Sequence, residues 1–172
     1  MPINRLNHAV LYVRDLTTSV AFYRDVLGFR EVMGIPGRAS FLQAEGSTND
    51  HDLGLFAIGS AAGASTAGRG TVGLYHLAWE VDTLAELERI ADALTEARAL
   101  VGASDHSTTK SLYAQDPDGL ELEVHWVVPA DLIDQAVLDG RARIVPLDLP
   151  AAKERFGAHT PGGIGISQPT HA

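Results

Sequence analysis

The side chains best suited to holding a divalent metal ion are two histidines and a glutamate. His8 and His76 each open a strand-like segment, and Glu123 lies inside another, Leu120–Val127. Because strand side chains alternate between two faces, Glu123 lies opposite the apolar residues of its strand. Two imidazoles and one carboxylate with open coordination positions form the donor set of non-haem Fe(II) oxygenases, and they also suit other divalent metals.

An internal repeat links the two histidines. Residues 8–16 and 76–84 align, and each segment begins with histidine and ends with leucine. A single histidine in a strand is commonly hydrogen-bonded for structural reasons, whereas a carboxylate in an apolar strand needs a partner. Two histidines at equivalent positions of a repeat, together with an interior glutamate, favour a metal site over three unrelated structural residues.

Each copy of the repeat is predicted to fold as a strand, a helix and further strands. The first helix runs from Thr17 to about Leu27, and Gly28 closes it. The second helix has Thr83 as its N-cap and Glu86 three residues later, which is a capping box. The strand candidates after the helices are Ala39–Ala44, Leu53–Ile58, Ser111–Gln115 and Leu120–Val127.

The connecting segments have compositions of their own. Residues 116–119 read Asp-Pro-Asp-Gly, which predicts a tight turn and a hairpin between the last two strands. Residues 60–73 are rich in Gly, Ala and Ser and predict a flexible connector. Residues 129–172 lie beyond the repeat, with short helices predicted at Ala130–Leu138 and Ala151–Phe156.

The composition limits the class of protein and of ligand. A chain of 172 residues with 45% apolar content is long enough for one domain with a core. The absence of cysteine excludes disulfides and thiolate metal sites. No apolar run approaches the ~20 residues of a membrane span, and no signal-peptide pattern opens the chain, so we expect a soluble cytoplasmic protein. A net charge of −9 with scattered basic residues argues against nucleic acid and favours a small neutral or aromatic ligand.

Several motifs together resemble the glyoxalase/bleomycin-resistance/dioxygenase superfamily, also called the vicinal oxygen chelate family. The matching residues are His8, Asp15-Leu16, the run Phe22–Phe29, Tyr75-His76-Leu77 and the run Asp116–Glu123. The resemblance implies an α+β fold in which two βαβββ modules form an open, U-shaped mixed β-barrel around a metal site. We expect this domain at residues 1–128, with module one at 4–59, the linker at 60–73, module two at 74–128 and a C-terminal extension at 129–172.

Within the family, the ligand count favours one branch. The resemblance implies that glyoxalase-type isomerases use four protein ligands, including a carboxylate near the end of the first module. The corresponding strand here, Leu53–Ile58, contains no carboxylate. The three remaining ligands, His8, His76 and Glu123, leave coordination positions for a bidentate substrate and O₂. The resemblance therefore favours a ring-cleaving dioxygenase.

Three further residues resemble the catalytic groups of extradiol dioxygenases. Residues 49–53 resemble the segment that carries the acid–base histidine, which maps onto His51; Asp50 stands where these enzymes often have a second histidine. His106 and Tyr113 resemble the pair that hydrogen-bonds to substrate oxygens. The ordinary alternatives are solvated loop histidines and a strand tyrosine without a catalytic role.

We therefore predict an Fe(II)-dependent extradiol dioxygenase, with Mn(II) or another divalent metal as the alternative ion. Its substrates are a catechol-type aromatic diol and O₂, both atoms of which enter the ring-opened product, and we expect a homo-oligomer. The competing functions are a metal-dependent isomerase or transferase of the glyoxalase type and a metal-free drug-binding resistance protein. The acidic charge suits the drug-binding protein, whereas the metal triad does not. The roles of His125 and of the C-terminal extension stay open.

Overall fold

Two mixed β-sheets and a few short helices make up the described part of the chain, which is residues 2–3, 5–68 and 70–163 of a computed structural model. The chain divides into two compact units. The first comprises residues 1–66 with 116–119, and the second comprises residues 67–115 with 120–172.

The first unit contains a four-stranded sheet. Its elements are β1 (Ala9–Val13), α1 (Leu16–Ala21), a π-helical turn (Phe22–Val26), β2 (Arg30–Ile35), β3 (Ala39–Gln43) and β4 (Leu53–Ala57). The strand order is β1-β4-β3-β2, with β1 and β4 parallel and the other pairs antiparallel. Leu42, Leu53 and Leu55 are fully buried in its core.

The second unit repeats this arrangement and extends it. Its elements are β5 (Leu77–Glu80), α2 (Leu84–Glu96), β6 (Leu100–Asp105), β7 (Thr109–Gln115), β8 (Glu121–Val127), a 3₁₀ turn (Ala130–Leu132), α3 (Gln135–Gly140), β9 (Val145–Pro146) and α4 (Leu149–Phe156). The order is β5-β8-β7-β6-β9, with β5 and β8 parallel. The predicted α+β fold with two βαβββ modules is confirmed, and the described strands form no closed barrel.

Both predicted helices are present, with capped N-termini. Asp15 caps α1 by accepting the Thr18 amide at 2.7 Å, and the helical path continues as the π-helical turn to Gly28, which has a φ of 80°. Thr83 caps α2 by accepting the Glu86 amide at 3.2 Å. The inward face of α2 is fully apolar, with Leu84, Leu87, Ile90 and Leu94 buried.

Three strands were not among the sequence candidates. β2 is exposed at every position, so it lacks the alternation that marks a half-buried strand. β6 alternates only weakly, and β9 is two residues long and exists because it pairs with β6. The structure of these strands depends on their neighbours in the sheet.

The prediction of one helix over Ala130–Leu138 is wrong. The chain forms the 3₁₀ turn, becomes extended at Ile133 and starts again as α3, because the Asp134 carboxylate accepts the Val137 amide at 2.8 Å and caps a new helix. The predicted helix Ala151–Phe156 is present as α4, which begins two residues earlier.

The Asp-Pro-Asp-Gly turn forms as predicted and belongs to the first unit. Gly119 has a φ of 80°, which a glycine adopts without strain. The Asp118 carboxylate pairs with the Arg14 guanidinium at 2.6 Å and accepts the Arg14 amide at 2.9 Å. The Tyr23 hydroxyl donates to Asp116 at 3.2 Å. The turn therefore supplies buried polar partners for the first unit.

No helix in the described ranges is long and apolar enough to cross a membrane.

The cap of α2 gives a direct stability test. Thr83→Ala removes the acceptor for the Glu86 amide and should lower the free energy of unfolding by about 1 kcal/mol. Thr83→Ser keeps the hydroxyl and should stay close to wild type. Urea denaturation followed by circular dichroism measures both variants, and equal stability of the two would contradict the assigned cap.

Tyr23 should make stability fall at alkaline pH. Burial, followed by the negative charge of Asp116, raises the pKa of Tyr23 well above its usual range. Above about pH 10 the unfolded chain releases this proton while the folded chain keeps it, so stability present at lower pH is lost as the pH rises.

The variant Tyr23→Phe should therefore lose the bond to Asp116 at pH 7 but fall less steeply in stability between pH 10 and 11. The control is Tyr12→Phe, because the Tyr12 side chain is exposed and lies outside the buried core. Urea denaturation across this pH range checks the slopes, and a wild-type slope in Tyr23→Phe would refute the assignment.

Candidate metal centre

The second unit brings two of the predicted metal ligands together. His76 immediately precedes β5, and Glu123 lies on the neighbouring parallel strand β8, where it pairs with Ala78. The imidazole Nε2 of His76 lies 3.1 Å from Oε2 of Glu123, and both side chains are largely buried. Alternation along β8 buries Leu122 and Val124 on the opposite face, as predicted, and Trp126 with them.

Glu123 is held in its ionised form. Its pKa is lowered to about 2, chiefly through the His125 imidazole, whose Nδ1 lies 3.7 Å from Oε1. Burial opposes this shift, and Ser111 and His76 add smaller contributions that lower the pKa further. Glu123 is therefore an anionic oxygen donor at neutral pH.

This pair has the properties of cation ligands. Within the described residues, the second ring nitrogen of His76, Nδ1, is buried and has no hydrogen-bond partner. Nε2 of His76 and the ionised carboxylate beside it are the types of atom that coordinate a divalent metal. Within either unit, the described residues include no group of three His, Cys, Asp or Glu side chains arranged to hold a metal. His76 and Glu123 are the two members of the predicted ligand set that the second unit contains.

Tyr113 and His106 lie beside this pair. Tyr113 is the cross-strand partner of Glu123 on β7, and its ring centroid is 6.1 Å from that of His76. The Tyr113 hydroxyl lies 2.8 Å from Nε2 of His106, which follows β6 in the loop to β7. Burial, followed by the charge of Glu123, raises the pKa of Tyr113. The phenol is therefore neutral and able to donate a hydrogen bond.

His8 and His51 come together in the first unit. His8 immediately precedes β1, and its ring centroid lies 4.6 Å from that of His51. Nδ1 of His8 is 2.8 Å from the side-chain oxygen of Asn7, so this nitrogen donates and Nε2 presents its lone pair.

His51 is oriented by a carboxylate that the sequence reasoning did not assign. Nδ1 of His51 lies 2.9 Å from the Asp50 carboxylate, and its ring packs in a T-shaped arrangement with Phe41. Because a carboxylate only accepts, Nδ1 carries the proton and Nε2 is free to act as a base. The adjacency of Asp50 and His51 was visible in the sequence, but their side-chain geometry was not.

Asn49 fixes the loop that carries His51. Its amide nitrogen donates to the Asn7 carbonyl at 2.9 Å and to the Asp52 carboxylate at 2.8 Å, while its amide oxygen accepts from Arg5 at 2.6 Å. These bonds tie residues 49–52 to the segment just before β1. They explain how a loop histidine is held against His8.

The two units differ at one equivalent position. In the second unit, Ala78 of β5 pairs with Glu123 of β8; in the first unit, the corresponding residue Val10 of β1 pairs with Gly54 of β4. Gly54 is buried between Val10 and Phe41. The position equivalent to Glu123 is therefore occupied by a residue without a side chain.

Comparison with known proteins gives the family. Residues 5–124 match the Glyoxalase/Bleomycin resistance protein/Dioxygenase superfamily. The chain is 30% identical to a catechol-2,3-dioxygenase of Bacillus subtilis (strain 168), over 70% of this chain and 40% of that protein. It is 32% identical to biphenyl-2,3-diol 1,2-dioxygenase 3 of Rhodococcus globerulus, over 76% of this chain and 68% of that protein.

The solved structures include a lactoylglutathione lyase from Agrobacterium tumefaciens. It is 26% identical, with a TM-score of 0.54, over 73% of this chain and 95% of that chain. The present chain spans less than half the length of the Bacillus relative. With 120 residues matched, this chain belongs to the Glyoxalase/Bleomycin resistance protein/Dioxygenase superfamily.

Proposed function

We propose that this protein is a metal-dependent extradiol dioxygenase that cleaves the ring of a catechol-type aromatic diol with O₂. The observation that carries the proposal is His51, a carboxylate-oriented imidazole packed on the predicted ligand His8. A base beside a metal ligand is what deprotonation of a diol requires. The two dioxygenase relatives, at 30% and 32% identity, support the same reaction class.

The proposed metal ligands are His8, His76 and Glu123, with Fe(II) as the expected ion and Mn(II) as the alternative. The roles of His76 and Glu123 draw on their 3.1 Å approach, and that of His8 on the sequence repeat. When bound, a divalent metal held by two neutral imidazoles and one carboxylate keeps a positive charge, lowers the pKa of a coordinated phenol and offers positions for a diol and O₂.

The protein's own residues then handle protons and orientation. Nε2 of His51 accepts the proton of a diol hydroxyl and returns it later in the reaction, while Asp50 keeps its Nδ1 protonated. The neutral Tyr113 phenol donates a hydrogen bond to a substrate oxygen, and His106 orients that hydroxyl. Gly54 stands where a fourth ligand would otherwise reduce the open positions, which suits two incoming reactants.

A glyoxalase-type isomerase is the second candidate, because the lactoylglutathione lyase shares 26% identity with the chain. The glycine at position 54 argues against the four-ligand site that the resemblance implies for such enzymes. A metal-free drug-binding protein suits the −9 charge but leaves the ionised Glu123 beside His76 without a role. Metal content and O₂ uptake separate the three functions.

Metal binding should depend on His76 and Glu123. His76→Ala and Glu123→Gln each remove a ligand and should weaken Mn(II) affinity by more than about 100-fold, whereas His125→Ala removes a partner of Glu123 and should weaken it by about 10-fold. Anaerobic calorimetric titration measures these affinities. The control is His159→Ala, an exposed histidine outside the proposed site. Wild-type affinity in both ligand variants would contradict this centre.

Oxygen uptake should depend on His51. After anaerobic loading with Fe(II), the wild type should consume one O₂ per diol and form a yellow ring-opened product, measured with an oxygen electrode and a panel of catechols. His51→Gln should lower kcat by about 10²–10⁴-fold, the usual contribution of a general base. The amount of metal bound per chain should stay at the wild-type level. His159→Gln is the matched control.

The outcomes of this assay discriminate between the candidates. Tightly bound metal without O₂ uptake on any diol would reject the dioxygenase and favour the isomerase or transferase. No metal binding by the wild type would favour the drug-binding protein. Full activity of His51→Gln would leave the reaction class intact but remove His51 from the mechanism.

A further inference from the structure

Ser107, between β6 and β7, adopts a backbone conformation that serine rarely takes. Its φ is 71°, in the left-handed region that favours glycine and that is strained for other residues. It directly follows His106, whose Nε2 contacts the Tyr113 hydroxyl at 2.8 Å. A strained residue persists only where surrounding contacts fix it, so those contacts identify what the strain serves.

Three polar contacts hold Ser107 in place. Its amide donates to the Asp105 carboxylate at 2.6 Å, and its carbonyl accepts from the Lys110 ammonium at 2.9 Å. Its hydroxyl donates to the Val137 carbonyl in α3 at 2.6 Å. Lys110 is almost fully buried and also pairs with Asp105 at 2.7 Å. Every polar group of Ser107 is therefore engaged, one of them by the C-terminal extension.

The extension also leaves no spare room at this serine. A Cβ built on Gly140, at the end of α3, would lie 2.5 Å from Oγ of Ser107 and 2.9 Å from its Cβ. Such distances are too short for a real side chain, so glycine is needed for α3 to approach the loop. The close approach and the hydroxyl bond make Ser107 the contact point between α3 and the loop that bears His106.

The remaining contacts of the extension hold α3 itself. The Asp134 carboxylate caps α3. Both of its oxygens also accept from the Arg155 guanidinium of α4, each at 3.0 Å. Lys153 of α4 pairs with Glu88 of α2 at 2.5 Å. The aromatic ring of Phe156 contacts two cations, with the Lys110 ammonium 5.2 Å and the Arg155 guanidinium 4.9 Å from its centroid. This network connects the helices α2, α4 and α3 with Ser107.

We propose that Ser107 is a positioning residue through which the C-terminal extension fixes His106 and its hydrogen bond with Tyr113. The catalytic part of this inference rests on the proposed function, in which Tyr113 contacts the substrate. The positioning itself is a property of the second unit and does not depend on which reaction the protein catalyses. It gives residues 134–156 a role in the site although none of them carries a proposed catalytic group.

The test uses three variants of the full chain. Ser107→Ala removes the bond to Val137 and keeps the backbone strain, whereas Ser107→Gly removes the same bond and relieves the strain. Gly140→Ala adds a methyl group on α3 that clashes with the Ser107 side chain. The matched control is Ser60→Ala, an exposed serine in the connector.

Two readouts separate positioning from stability. The ring-nitrogen NMR signals of His106, assigned with His106→Gln, should shift away from wild type in all three variants. Where diol turnover is measured, kcat should fall about tenfold while KM stays within about twofold, because one orienting hydrogen bond is lost. Ser107→Gly should be more stable to heat than Ser107→Ala and yet show the same loss of kcat and the same altered signals.

The opposite results overturn the inference. If Ser107→Gly keeps the wild-type His106 signals, Ser107 serves backbone stability alone. If Gly140→Ala unfolds the protein, adding Ser107→Gly relieves the clash, and the NMR signals of the double variant decide the question. If the wild type turns over no diol, the proposed function fails while the NMR comparison still tests the positioning.

Discussion

The register of the parallel strand pair β5–β8 is the constraint on which the candidate centre depends. Pairing Ala78 with Glu123 sets the Glu123 carboxylate 3.1 Å from the histidine that precedes β5. A slip of one residue would turn Glu123 into the core and its apolar neighbours outward. Burial of Leu122, Val124 and Trp126 opposes that slip, at ~1.5–3 kcal/mol for each of these side chains. Hydrophobic packing on one face therefore fixes a polar geometry on the other.

The same constraint acts in both units, but with different side chains. The β1–β4 pair repeats the parallel register and places Gly54 where the second unit has Glu123. The first unit consequently offers His8 and His51, while the second offers His76, Glu123 and the Tyr113–His106 pair. In the proposed function, the first unit therefore supplies the base and one imidazole ligand, and the second supplies the other imidazole, the carboxylate and the hydrogen-bond donors. Gly54 accounts for the missing carboxylate in the first unit, where the topology is otherwise the same.

Local sequence predicted those features that depend on periodicity or on a fixed turn geometry. The equivalent positions of the histidines before β1 and β5, the face of Glu123, the Thr83 N-cap of α2 and the Asp-Pro-Asp-Gly turn all followed from such patterns. The sequence did not reveal β2 or β9, because their pairing depends on neighbouring strands and not on their own burial. The break at Ile133 was missed because an apolar helical pattern ran through it, and the competing Asp134 cap was stronger.

For the predicted site residues, too, the contacts with other parts of the chain could not be predicted from local sequence. The family resemblance selected His51, His106 and Tyr113, but the contacts that orient them could not be predicted from it. Asp50 neighbours His51 in the sequence, yet a carboxylate next to a histidine orients the ring only in some loop conformations. Ser107 carries no local signal at all, since serine is ordinary in a loop and its left-handed φ follows from the contacts with Asp105, Lys110 and Val137.

Contacts from the C-terminal extension help to maintain the strained backbone conformation of Ser107. A left-handed serine costs on the order of 1–3 kcal/mol, and a single hydrogen bond returns only about 1 kcal/mol. The bond to Val137 alone therefore cannot hold Ser107, whereas three polar contacts together with the close approach of Gly140 can. Since two of those contacts involve the nearly buried Lys110–Asp105 pair, the packing of Phe156 against Lys110 contributes to the loop indirectly. An appended segment without chemistry of its own can in this way determine the geometry of a neighbouring loop.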